Sequence, residues 1–105
     1  VAGDPHLALR RVLEAAVLEG RGITDPALRR AAAAGGALPS ELAAYVEKVR
    51  EHAYATTDAE VTALLSRSSE DAVFEVTASA ALGAALERLT AGLRALEEAD
   101  ATEDA

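Results

Sequence analysis

Apolar residues recur along most of the chain at steps of three and four, the period that lines one face of an α-helix. Asp4-Pro5 opens the first such segment, with a capping side chain followed by proline at the first helical position. Leu9, Val12, Leu13, Ala16 and Val17 form its apolar stripe, and Gly20 and Gly22 end it. Asp25-Pro26 repeats the start signal for a short second helix, Ala27 to about Ala34, which Gly35-Gly36 stops. Pro39-Ser40 opens a third, striped by Leu42, Val46, Val49 and Ala53. Thr57 and Glu60 form a capping box, so a fourth helix begins near Asp58, carries Val61, Leu64 and Leu65, and ends near Ser66. Ser68 or Ser69 starts the fifth, and the acids Glu70 and Asp71 suit the positive end of its dipole.

The fifth helix is the longest, about Glu70 to Glu98. Leu82, Leu86, Leu89, Leu93 and Leu96 repeat as a heptad does, alternating steps of four and three. Its first half differs: Ala78, Ala80, Ala81, Gly83, Ala84 and Ala85 surround the axis with small side chains. Such a stretch is expected inside the fold, with a neighbouring helix close enough to offset the cost of Gly83. Residues 82–96 are expected to form part of a subunit interface. The alternative is that this seam packs on the chain's own first helix. Residues 1–96 then form one helical domain, and 97–105 are expected to be an acidic disordered tail.

Composition narrows the class. Of 105 residues, 27 are Ala and 14 are Leu, while strand-favouring aromatics are reduced to Phe74, Tyr45 and Tyr54. An all-α domain follows. There is no Cys, which excludes a disulfide framework, a thiolate metal site and a cysteine nucleophile. The net charge is −8, and Glu97, Glu98, Asp100, Glu103 and Asp104 supply five of those negative charges. An acidic chain is repelled by phosphate backbones and anionic lipid surfaces, so neither nucleic acid nor membrane is an expected partner. The least polar run, 72–86, is too short to span a bilayer and contains Glu75. No signal peptide is visible at Val1-Ala2-Gly3-Asp4-Pro5, so a cytoplasmic setting is expected, with a start that is processed or trimmed.

Thr57-Asp-Ala-Glu-Val-Thr-Ala-Leu-Leu, then Ser69-Glu-Asp-Ala-Val-Phe-Glu-Val-Thr, then an Ala-rich stretch ending Glu87-Arg88-Leu89, resembles the AhpD-like family of alkylhydroperoxidases and carboxymuconolactone decarboxylases. The likeness covers about residues 39–96. It implies a five-helix fold with a long C-terminal helix and a homo-oligomer, a trimer or hexamer. The family's peroxidase branch carries C-x-x-C-x-x-x-H on a helix. That spacing sets its histidine at His52 and its two cysteines at Tyr45 and Lys48. Its upstream acid would fall at about 31–36, where there is no carboxylate. Without a thiolate to attack peroxide or a second thiol to resolve the product, thiol-peroxidase chemistry is excluded. The decarboxylase branch works without cysteine, so the resemblance leaves open a non-thiol enzyme acting on a small acid or lactone through His52.

Glu41, Tyr45, Lys48 and His52 share one helical face. In a catalytic reading His52 is a general acid or base, Lys48 holds an anionic group and Tyr45 donates a hydrogen bond. The plainer reading, favoured because spacing and an incomplete family match are all that support the catalytic one, is a solvated or interfacial polar stripe with ordinary ion pairs. Glu75, among Val73, Phe74 and Val76, is a candidate buried carboxylate of raised pKa; the plainer alternative is a first-turn acid facing solvent or an Arg. Thr77 and Ser79 are expected to bond back to their own helix. The pairs Arg10-Arg11 and Arg29-Arg30 read as surface cations before they read as an anion site. His6 is expected to be exposed. The two histidines lack metal-ligand spacing, so no metal or cofactor is expected. The leading expectation is therefore an oligomeric structural or interaction module, with a His52 enzyme as the alternative.

Overall fold

Capping chemistry sets the helix boundaries. In the computed structural model, which describes residues 5–104, the Asp25 carboxylate accepts a hydrogen bond from the Ala27 N–H at 2.9 Å, and Pro26 follows at the first helical position. The Thr57 hydroxyl accepts from the Glu60 N–H at 3.3 Å, and the Ser69 hydroxyl from the Ala72 N–H at 3.1 Å. Ser69 is therefore the cap of the last helix. Five α-helices result: α1 Pro5–Glu14, α2 Pro26–Ala34, α3 Ser40–Glu51, α4 Asp58–Leu65 and α5 Glu70–Asp104. A π turn, Ala15–Glu19, continues α1, and a single 3-10 turn, Ala53–Ala55, links α3 to α4. The described residues contain no strand. The start signal at Asp4 lies outside the described residues.

Gly35 ends α2 with φ 69°, the left-handed conformation that glycine adopts without a Cβ clash, and its N–H returns to the Ala31 carbonyl. The chain then turns into α3. The first half of α5 lies against α2 and α3. Their shared core is Ala32, Tyr45, Val46, Leu64, Val73, Val76 and Ala80, flanked by Leu28, Leu38, Leu42, Val49 and Val61. Where α2 and α5 meet, the buried residues are small, Ala32 and Ala33 against Ala80 and Ala84, and the helices approach closely. Gly83 lies so near the Ala33 backbone that a Cβ could not be placed there. The expectation that a neighbouring helix justifies Gly83 is met by α2.

The α1 stripe, whose partner the periodicity leaves open, does not face the core: Leu9, Val12 and Leu13 are 58, 65 and 41 % exposed. The inner side of α1 instead carries Leu7, Arg10 and Glu14, all half-buried. The end of the fifth helix differs from the expected one: α5 continues to Asp104 rather than breaking at Glu98. Ala, Glu and Asp in this segment permit helix without packing, and Thr102 bonds back to the Glu98 carbonyl at 2.9 Å. Every residue from Ala91 to Thr102 is exposed, so the second half of α5 projects alone from the body.

Candidate functional site

Lys48, His52 and Glu75 each sit in a separate local arrangement. Lys48 Nζ donates to Glu60 Oε1 at 2.5 Å, tying the middle of α3 to the first turn of α4. That hydrogen bond holds the Glu60 carboxyl below its ordinary range. His52 is the residue that ends α3, with a non-helical backbone, and its side chain is in solvent. Its ring meets Tyr54 edge-on at 6.0 Å, with Nδ1 3.5 Å from the Tyr54 hydroxyl.

Glu75 points elsewhere. Its Oε2 accepts from the Ile23 N–H at 3.0 Å, and its Oε1 accepts from the Thr24 N–H at 3.0 Å and the Thr24 hydroxyl at 2.5 Å. The Thr24 hydroxyl bond, then the two backbone donors, pull its pKa down from 4.5 to about 2. Glu75 is therefore neither the candidate carboxylate of raised pKa nor a first-turn acid left to solvent; it is an ionised latch that fastens the 22–24 turn to α5. Gly22 makes room for it: a Cβ at that position would lie 2.6 Å from Glu75 Oε1.

His52 and Glu75 do not converge. The α3 end that carries His52 contacts α5 near Arg88, which donates to the Arg50 carbonyl at 2.5 Å. Thirteen residues separate Arg88 from Glu75, about 20 Å of helix at 1.5 Å per residue. Two open clefts, of about 410 and 380 Å³, flank α3. The first is bordered by Gly35, Gly36, Leu38 and Arg50, the second by Glu41, Tyr45, Glu60 and Arg67. Neither is lined by Lys48, His52 or Glu75. Tyr45, at one position where the peroxidase pattern sets a cysteine, is buried and shares a 2.6 Å hydrogen bond with the Thr77 hydroxyl. Thr77 and Ser79 also bond back to the Val73 and Glu75 carbonyls, as expected. Glu41 pairs with Arg67 at 3.3 Å on the surface. His6 is exposed. No group of three potential metal ligands occurs among the described residues.

Two buried arginines were missed as structural elements. Arg29, 3 % exposed, donates to the Val17 carbonyl at 2.9 Å and the Gly20 carbonyl at 2.8 Å, closing the end of the π turn. Arg50, 7 % exposed, donates to the Ala33 carbonyl and to Glu87 Oε2 at 2.6 Å. The signal was present in the spacing. Arg29 shares a helical face with Ala32 and Ala33, and Arg50 lies four residues after Val46, so both stems start on inward faces.

The larger unsatisfied feature is apolar. Leu89, Leu93 and Leu96 on the projecting part of α5 are 48, 43 and 63 % exposed. Arg10 binds the Thr90 hydroxyl at 2.7 Å, which fixes α1 beside the point where this seam leaves the body. Leu82 and Leu86, at the inner end of the seam, are half-buried and border a shallow cleft with Arg10, Glu14 and Leu18. The inner seam is thus partly covered by α1 and its π turn, leaving a face of Leu86 open, while nothing among the described residues covers the outer seam. No helix among the described residues is long and apolar enough to cross a membrane. No family profile, curated protein or solved structure matches this chain.

Proposed function

We propose that this protein is a homo-oligomeric structural or interaction module that works through helix packing. The observation that carries this reading is the uncovered leucine seam of α5 at Leu89, Leu93 and Leu96; α1 exposes a further apolar stripe, Leu9, Val12 and Leu13. Apolar residues repeated along one exposed helix face are a cost in water that a subunit interface removes. The separate engagements of Lys48, His52 and Glu75 speak against a decarboxylase-like site assembled from them. Tyr45 and Lys48 serve packing and an ion pair where the peroxidase pattern has thiols. Descent of residues 39–96 from an AhpD-like ancestor is thus proposed as a relationship of fold, without peroxidase chemistry. The net charge of −8 favours protein surfaces over nucleic acid or anionic lipid, in a cytoplasmic setting.

Light scattering on the chain with and without residues 97–105 tests the reading. A mass above that of one chain, retained without the tail, is expected. A folded monomer in both cases overturns it.

A further inference from the structure

We propose that a second copy of this chain covers the seam, with the two α5 helices antiparallel about a two-fold axis near Ala91 and Gly92. This rests on the oligomeric reading above and adds the partner's identity and orientation.

The heptad register is self-complementary in that direction. Leu86 and Leu93 occupy one core position of the repeat, and Leu89 and Leu96 the other. Antiparallel pairing about residue 91 sets Leu89 of one copy on Leu93 of the other, twice, and Leu96 of each copy on Leu86 of the other. A two-fold contact of this kind uses the same patch on both subunits, so it closes at two copies. Positions 85, 92 and 99, one heptad apart on the exposed side of the seam, are Ala, Gly and Ala. Small residues beside the core positions let two helix backbones approach.

Gly92 is otherwise without a role. It stands inside a helix, where glycine is unfavourable relative to alanine, and nothing lies within 4 Å of where its Cβ would be. Gly83, the other glycine of α5, is explained by the α2 backbone. A neighbouring helix would explain Gly92 in the same way.

Charge selects the direction. A parallel pair would set two tails of five carboxylates side by side. In the antiparallel pair the two Glu97 residues start about 18 Å apart along the axis, from a rise of 1.5 Å per residue. That exceeds two Debye lengths of about 8 Å at physiological ionic strength. The tails then diverge further.

The chain has no cysteine, so single introduced thiols report on the pairing cleanly. Disulfide formation needs Cα atoms within about 7 Å. Under mild oxidation Gly92→Cys is expected to cross-link to itself. Leu96→Cys, about 15 Å from its copy, is not. Ala85→Cys mixed with Ala99→Cys is expected to cross-link, and neither alone. Light scattering is expected to give an even multiple of 10.8 kDa, falling by half in the folded Leu89→Asp, Leu93→Asp double variant. Self-linking of Leu96→Cys, an odd subunit number, or a double variant of unchanged mass overturns the antiparallel pair and leaves the oligomeric reading standing. A monomeric wild-type chain overturns both. If the double variant does not fold, the cross-linking pattern decides.

Discussion

Gly83 of α5 rests directly on the backbone of Ala33 in α2, with no room between them for a methyl group. The same Ala33 carbonyl accepts a hydrogen bond from the buried Arg50 side chain. Replacing glycine by alanine inside a helix ordinarily stabilises it by up to about 1 kcal/mol. Here the sign reverses. Gly83→Ala is expected to destabilise the protein by about 1–3 kcal/mol, because α2 and α5 must separate. Chemical denaturation followed by circular dichroism measures it.

Glu75 makes stability depend on acid. Its folded pKa lies at about 2, below the ordinary 4.5, so its ionised form binds the Thr24 and Ile23 donors. The resulting stability is fully present above pH 4.5 and is lost as the pH falls through that value toward 2. Glu75→Gln is expected to melt lower than wild type at neutral pH, and the difference is expected to shrink across that acid range. Melting curves collected from neutral pH down to the folded pKa check both halves.

Gly22 and Glu75 act as one unit, since a Cβ at position 22 collides with the Glu75 carboxylate. Gly22→Ala alone is expected to lower the melting temperature. Added to Glu75→Gln, it is expected to lower it by much less than the sum of the single effects. A double-mutant cycle tests this coupling.

Arg29 closes the π turn by donating to the Val17 and Gly20 carbonyls. Arg29→Met keeps an apolar stem but leaves those acceptors without their donor. A cost of about 1–3 kcal/mol is expected for buried acceptors left unpaired. Arg29→Lys is not expected to restore it, because an ammonium lacks the fork that reaches both carbonyls. Urea denaturation of the two variants tests the comparison.

Caps and solvent positions separate in the same assay. Thr57→Ala removes the side-chain acceptor for the Glu60 N–H and is expected to cost about 1 kcal/mol. His52→Ala touches an exposed side chain beside Tyr54 and is expected to stay within about 0.5 kcal/mol of wild type.

Local chemistry explains which features were legible in the sequence. Asp25-Pro26, Thr57 with Glu60, and Gly35-Gly36 mark boundaries through groups within a few residues of one another, and the structure places them there. The apolar stripe of the third helix and the small-residue stretch of the fifth also mark Val46 and Ala80, which lie inside. Helical period did not give the direction of the α1 stripe, because a period defines a face without saying what the face meets. Leu9 and Val12 therefore read only as a stripe, and they point outward. The role of Glu75 is not legible for a related reason: its donors lie about fifty residues earlier, in a turn whose position is set by tertiary packing. Helix beyond Glu98 was missed because absence of a core was equated with absence of helix. Lys48 lies on α3 as its spacing predicts, whereas His52 falls just past the end of that helix, and the neighbours of both come from other elements and are not readable from spacing.

The lone half of α5 also changes how the molecule moves through water. A compact chain of this length has a radius of gyration of about 13 Å. This one reaches 16.3 Å, with a long axis of 57 Å against 29 and 21 Å. Such a rod-tailed particle drags more than a sphere of its mass. It should elute early from a sizing column and sediment slowly. A single copy would then pass for a pair by elution volume, and an antiparallel pair would hide part of that excess by laying each rod along its neighbour.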